Sequence, residues 1–525
     1  MIPRTLLVAL LVVGSALVSQ AELRLHNLFT DHMVLQQHAT VPIWGWGDDG
    51  DKVTVEFAGQ KDTVTVKNGQ WRAQLKNLKP GPAGALKVTA TRGGKNTLIQ
   101  REDVVVGEVW IASGQSNMEW GMRSSFEPAE DIKNSANANI RLFTVPKLKL
   151  NAPTNNVNGQ WVECGPESVP GFSAVAYYFA RDLQKALGVP VGVIHTSWGG
   201  SPAEVWMSDA VLSGDKEYQK DIVAKYTADL EKVTAQIANW EKQRDAAKAE
   251  GKAFTARKPG PGWKPSELYN GMIANIVPYA VQGAIWYQGE SNAGRAWQYR
   301  RLFADMIRNW RADWDQDFTF LEVQLAPFDK SKKRSLAEIT ATPVESDWAE
   351  LREAQLLATK NLKKVGMAVI TDVGDKDDIH PSKKQPAGAR LALLAREIAY
   401  GEKIVANGPE YKAVKFKEYH GVKYQAPEVI LSFDNVGAGL EARGGELTGF
   451  AIAGEDRKFV WATAKIVGDK VVVNTMGIKK PAAVRYGWSD FPVVNLWNKD
   501  GLPATPFRTD DWEMVTKPKA VAAKK

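Results

Sequence analysis

Short runs in which apolar and polar positions alternate fill the early part of the chain, at 41–47, 53–57, 63–66, 71–75 and 86–91, each closed by Gly, Asp or Asn. A period of two between turn residues predicts half-buried strands, so 22–102 reads as an N-terminal β-sandwich. The same pattern returns at 428–433, 447–453, 459–467, 470–474 and 482–486. Residues 406–515 therefore read as a second sandwich.

Between them, in 103–405, continuous apolar runs at 104–112, 189–196, 283–287, 318–324 and 365–371 alternate with helix-period segments at 171–187, 269–279, 299–314, 348–359 and 382–400. Strands followed by helices predict an α/β fold: a parallel sheet between two helix layers, a flavodoxin-like three-layer αβα core. One segment, at about 210–265, interrupts it. Within 215–250, Ile222, Tyr226, Leu230, Val233, Ile237 and Trp240 recur at intervals of three and four, which predicts a long amphipathic helix with one packed face. Pro259-Gly260-Pro261-Gly262 then returns the chain to the core.

The first 21 residues differ in kind. Arg4 precedes an apolar run from Leu6 to Val18, and Ser19-Gln20-Ala21 supplies small residues, the pattern of a cleavable signal peptide over 1–21. That run falls short of the roughly 20 residues of a membrane span, and no later segment is long and apolar enough for one. The expectation is a secreted or periplasmic protein without a membrane span after cleavage. Cys164 is the one cysteine, so neither an internal disulfide nor a thiolate zinc site is expected. The net charge of +7 includes Lys517, Lys519, Lys524 and Lys525 of a basic tail, 516–525, and no basic groove interleaved with aromatics points to nucleic acid. The 19 Trp fill cores, but exposed indoles also stack on sugar rings, and that many suit a carbohydrate cleft.

Four of the five apolar runs end in residues with chemistry. They are followed by Gly114-Gln115-Ser116-Asn117, by Ser197-Trp198-Gly199-Gly200-Ser201, by Gln288-Gly289-Glu290-Ser291-Asn292, and by Asp372 onward to Asp377-Asp378-Ile379-His380-Pro381. In a parallel sheet these ends share one edge. Acyl transfer needs a hydroxyl nucleophile, a base, a group orienting the base, and donors for the oxyanion. Ser116 supplies the hydroxyl, although a serine before a helix also serves as a plain N-cap. Of six histidines, His26, His32 and His38 lie in the first sandwich, His420 in the second and His195 inside a strand, which leaves His380 as base. Asp377 and Asp378 are both placed to orient it. The Ser116 N–H, Gly199 or Gly200, and the Asn292 amide are the candidate oxyanion donors. Gln115, Asn117, Gln288, Glu290 and Glu204 are candidate supporting or substrate-binding groups, with Glu108 placed near the same edge.

Other chemistry is disfavoured. No Gly-x-Ser-x-Gly elbow surrounds Ser116, and neither a phosphate-binding Gly-rich loop with Lys nor a His-Glu-x-x-His pair occurs. The spacing of Asp372, Asp375, Asp377 and Asp378 departs from a Ca²⁺ loop, and no carboxylate pair stands out as a glycosidase pair. No metal or organic cofactor is expected.

These motifs resemble the sialate O-acetylesterases, within the SGNH hydrolases and carbohydrate esterases. The likeness rests on Gly107-Glu108-Val109-Trp110 leading into Gly114-Gln115-Ser116-Asn117-Met118, on Trp198-Gly199-Gly200-Ser201-Pro202-Ala203-Glu204, on Trp286-Tyr287-Gln288-Gly289-Glu290-Ser291-Asn292, and on Gly374-Asp375 with Asp378-Ile379-His380-Pro381. It extends to His32-Met33-Val34-Leu35-Gln36 and to Val484-Arg485-Tyr486-Gly487-Trp488 with Pro506-Phe507-Arg508. Gln37 departs from the Arg expected after Leu35-Gln36.

The resemblance implies Ser116 as nucleophile, His380 as base, and Gly199 or Gly200 with Asn292 in the oxyanion hole. Asp three before His would select Asp377; relatives with Asp-Ile-His-Pro would select Asp378. The implied activity is a serine esterase that removes O-acetyl groups from carbohydrates, above all sialic acids, through an acetyl-serine. An acetyl xylan or other polysaccharide deacetylase with the same machinery is the near alternative. A carbohydrate-binding protein without catalysis is the alternative of another class. The acetyl position, the oligomeric state and the choice between periplasm and medium stay open.

Overall fold

Strand Lys95–Gly114 is 20 residues long and serves two layers of the molecule. In the computed structural model, which describes residues 22–417, 427–476 and 478–519, its first half pairs antiparallel with Gly84–Arg92 of the N-terminal sandwich. Its second half lies parallel between Val191–Ser197 and Gly283–Tyr287. A boundary at 102/103 thus falls inside one unbroken strand. Burial shows the change of role: residues 104–114 are all buried, whereas 95–103 are exposed or half-buried. Residues 1–21, where a signal peptide is expected, His420 and the tail from 520 lie outside the described residues.

The central sheet runs Trp161–Cys164, Asn137–Thr144, Val191–Ser197, Lys95–Gly114, Gly283–Tyr287, Thr319–Val323, Val365–Ala368. All neighbours are parallel except Trp161–Cys164, which is antiparallel to Asn137–Thr144. The five expected strands are present in flavodoxin-like order. Asn137–Thr144 and Trp161–Cys164 extend the sheet beyond them; only four central residues of the first are buried, too short a run to stand out in the sequence. Chain order reverses at Lys95–Gly114, which opens a crevice beyond its carboxyl end.

Helices cover both faces. Ala174–Leu187 packs on Gln385–Ile398 on one side, and Ala296–Trp314 on Asp347–Asn361 on the other. Two apolar cores result, one under each helix pair. Val109, Trp110, Ile111 and Ala112 are wholly buried between them. Full burial of an aliphatic side chain such as Val109 or Ile111 contributes about 1.5–3 kcal/mol, which makes this strand the sheet's anchor.

The helix expected over 269–279 is instead a π turn, Tyr269–Ile273, and a 3₁₀ turn, Ala274–Ile276. Gly271 abuts the Leu148 carbonyl and the Asn270 side chain donates to Leu150 O at 3.1 Å, so packing against 148–154 overrides the regular helix. The insertion forms a 25-residue helix, Lys225–Ala249, in which no residue is buried. Its apolar stripe faces the insertion's own return segment, with Trp240 on Phe254 and the Trp240 indole donating to Ala256 O at 2.8 Å. The C-terminal sandwich has its own core, and Arg352, buried, ties it down by donating to Leu325 O, Ala326 O, Ser489 O and Asp490 O. No helix among the described residues is long and apolar enough to cross a membrane.

Candidate active site

Gly114 ends the central strand with φ +138°, and a Cβ there would lie 2.2 Å from Tyr287 O. Only glycine lets the chain leave the sheet this close to its neighbour. The Gln115 N–H then donates to Tyr287 O at 3.0 Å, and Gln115 Oε1 accepts from the Gly289 and Ser291 N–H groups at 3.4 and 3.3 Å. Gln115 thereby stitches two strand-end loops together. Ser116 opens a single helical turn, Ser116–Glu119, and its Oγ lies 2.8 Å from His380 Nε2. The residues are 264 apart in sequence and meet as the shared sheet edge requires.

His380 stacks on Trp120 at 5.5 Å, and its Nδ1 faces Asp378 Oδ1 at 3.5 Å. That separation is an ion-pair distance, longer than a hydrogen bond. The same oxygen accepts the His380 backbone N–H at 2.8 Å. Asp377 turns away to Lys376, so of the two candidate acids the structure brings Asp378 to the imidazole. Burial lowers the His380 pKa below 6.5; Asp378 opposes this, and Lys384 and Lys332 reinforce it. Asp375 caps the loop by accepting the Asp377 and Asp378 N–H groups, and Asp372 is held by Arg390. His195 is buried, bonded to Ser197 Oγ at 2.7 Å, and pulled down to about 4 by desolvation, which removes it as a competing base.

Gly199 sits against the serine: a Cβ on it would lie 3.3 Å from Ser116 Cβ. Its N–H donates to Glu119 Oε2 at 2.6 Å, while Lys147 holds the other Glu119 oxygen. The Ser116 N–H takes no acceptor among the described residues. Gly200 has φ +75° and turns the chain away. Asn292 is buried deeper. Its Nδ2 donates to Glu204 Oε2 at 3.0 Å, and its Oδ1 accepts from Ala203 N–H and Gln288 Nε2 at 2.9 and 2.7 Å. Gln288 also takes the Tyr299 hydroxyl, and Glu204 pairs with Arg295. Gln288, Glu204 and Asn292 thus brace the loops from below, and no hydrogen bond among the described residues joins Asn292 to Ser116 or His380.

Asn117 and Glu290 belong to a buried cluster with Lys384, which the sequence reading missed. Asn117 Nδ2 donates to Glu290 Oε1 and, at 3.0 Å, to Ile379 O; Lys384 Nζ donates to Asn117 Oδ1. Burial raises the Glu290 pKa and pulls Lys384 down to about 7. In the sequence Lys383-Lys384 looks like any solvated pair, and no signal marks its second member as buried. Glu108 corrects another expectation. It lies six residues before Gly114 in an extended strand, about 20 Å away, bonded to Gln36 and Gln37. It supports the sandwich junction, where Gln37, in place of the expected Arg, is one of its two donors.

Beyond Gly199 the rim is aromatic and cationic. Trp198 and Trp263 meet edge to face at 5.5 Å, with Lys149 3.7 Å above Trp263 and Lys147 5.4 Å from Trp198.

Residues 236–392 match the family described as carbohydrate esterase, sialic acid-specific acetylesterase. Sialate O-acetylesterase of Mus musculus is 27% identical over 533 residues, 92% of this chain and 94% of that one. Its Homo sapiens counterpart is 28% identical over 529 residues, 92% of each. The crystal structure of a carbohydrate acetylesterase from Xanthomonas citri matches with TM-score 0.77 and 37% identity, over 93% of this chain and 100% of that one.

Proposed function

We propose that this chain, which belongs to the sialate O-acetylesterase family of carbohydrate acetylesterases and is a carboxylic ester hydrolase, removes O-acetyl groups through Ser116 by way of an acetyl-serine. The observation that carries the mechanism is the 2.8 Å approach of Ser116 Oγ to His380 Nε2. His380 takes the hydroxyl proton as Oγ bonds to the acetyl carbon. The carbonyl electrons move to the oxygen, which the Ser116 and Gly199 N–H groups receive once Glu119 yields its place on Gly199. The C–O bond to the sugar then breaks, and His380 returns the proton to the leaving hydroxyl. Water repeats the sequence on the acetyl-serine and acetate departs. Asp378 favours the charged imidazolium that forms twice in each cycle.

O-acetylated sialic acid is the substrate this reading favours. The curated relatives carry that activity in their names, and Lys147 and Lys149, paired here with Glu119 and Glu267, are the cations at the rim that its carboxylate would meet. A neutral acetylated polysaccharide is the second reading, which the 37%-identical Xanthomonas citri carbohydrate acetylesterase leaves open. The apolar pattern of 1–21 with its small-residue end supports export, and with it a reaction outside the cytoplasm.

Acetate release from acetylated sialic acids and from acetylated xylan, by the wild-type chain and by Ser116→Ala, tests this. Turnover of the first set, abolished in the variant, is expected. Unchanged turnover in Ser116→Ala would remove the mechanism, and turnover of xylan alone would move the substrate to the second reading.

A further inference from the structure

One sheet of the N-terminal sandwich carries tryptophans on its outward face. Strand Thr40–Trp46 pairs antiparallel with Gln70–Lys76, placing Trp46 opposite Gln70 and Trp44 opposite Arg72. Arg24–Leu25 adds Arg24 opposite Trp46 on the other side. Paired residues point to the same face, so Arg24, Trp46 and Gln70 form one row, and Trp44 and Arg72 the next. The alternate positions Val41, Ile43, Trp71, Ala73 and Leu75 fill the core, whereas Gln70, Arg72 and Gln74 are exposed. Polar side chains belong on that outer face; two half-buried indoles there are the unusual feature.

The catalytic part of the chain closes the other side. Thr154, Asn155 and Pro278 face the sheet across a cleft of about 480 Å³, and no carboxylate lines it. Phe29 and His26 hold the Trp44 ring, each 4.8 Å away, and Arg24 holds the Trp46 ring at 5.4 Å. Flat apolar surfaces fixed beside an amide and a guanidinium match a sugar ring, which offers C–H groups on its face and hydroxyls at its edge. The segment that supplies Thr154 and Asn155 also supplies Lys147, which holds Glu119, the partner of Gly199 beside Ser116. Thr154 follows Lys147 by seven positions, so the cleft lies within about 25 Å of that rim.

We propose that this cleft is a second, non-catalytic glycan-binding site, with a pyranose ring on Trp44 and Trp46 and its hydroxyls on Gln70, Arg72 and Asn155. It rests on the esterase reading only for the choice of ligand class. The site holds the glycan chain while the acetylated residue reaches Ser116, so it contributes to capture of long substrates and not to the chemistry.

The test is amide hydrogen exchange of the full chain with 3′-sialyllactose and, separately, with xylohexaose. One of the two is expected to slow exchange in 40–46 and 70–76, and which one does so reports whether the site takes an acidic or a neutral glycan. Trp46→Ala is expected to weaken that binding about tenfold. Arg72→Ala, on an exposed position, repeats the test should the first variant lose stability. Both variants are expected to turn over 4-nitrophenyl acetate within about twofold of wild type while KM for an acetylated polymer rises. Protection by neither glycan, or protection unchanged in both variants, overturns the proposal. Failure of the esterase reading shows instead as 4-nitrophenyl acetate turnover that survives Ser116→Ala, a separate readout.

Discussion

The side-chain amide of Asn117 donates to the backbone carbonyl of Ile379 at 3.0 Å. Asn117 follows the proposed nucleophile and Ile379 precedes the proposed base, so one buried bond fixes the spacing of both. Glu290 and Lys384 hold the amide from its two ends. The cluster that orders the Ser116–His380 pair is thus assembled from three strand ends and a helix start.

Lys384→Met removes the donor to Asn117 Oδ1 and leaves Glu290 buried without a nearby cation. Steady-state kinetics should show kcat lowered about tenfold or more with KM little changed, because spacing and not binding is lost. The melting temperature should also fall, since breaking a buried charged cluster costs about 3 kcal/mol. Full kcat in a folded Lys384→Met protein contradicts this role.

Asp378→Asn and Asp377→Asn separate the two candidate acids. The first is expected to lower kcat about ten- to a hundredfold, less than for a tightly bonded triad acid because Nδ1 and Oδ1 are 3.5 Å apart and Asp378 is 58% exposed. The second should stay within about twofold of wild type. Reversed effects would show that Asp377, not Asp378, orients the imidazole.

The acid limb of the pH profile belongs to His380, which acts as a base only when neutral. Burial lowers its pKa, so kcat/KM is expected to hold as pH falls below 6.5 and to decline only beneath the lowered value. Asp378 raises that pKa by favouring the imidazolium; Asp378→Asn therefore moves the limb to still lower pH. A limb centred above 6.5 in the wild type would contradict the assignment.

Gly114→Ala puts a Cβ 2.2 Å from Tyr287 O at a φ of +138°. Backbone atoms of two central strands cannot separate without breaking the ladder. A loss of about 3 kcal/mol or more in chemical denaturation is expected, or no soluble protein at all. A variant as stable as wild type would show that this strand end relaxes freely.

Apolar runs such as 104–112 and 283–287 determine the parallel sheet without tertiary information, because a strand buried on both faces admits almost no polar residue. Once the sheet is parallel, its carboxyl edge gathers Ser116, Gly199, Glu290 and His380, so the candidate pair is legible from order and residue type. Tertiary packing decided the rest. Whether Lys384 is solvated or buried depends on Asn117, 267 residues earlier. Which aspartate meets His380 depends on how Asp375 caps the loop, and where Gly199 donates depends on the Glu119 rotamer. Contacts between residues far apart in the chain leave no periodicity behind. The hydrophobic pattern carries the fold, while the orientation of each polar group is set by neighbours that only the folded chain supplies.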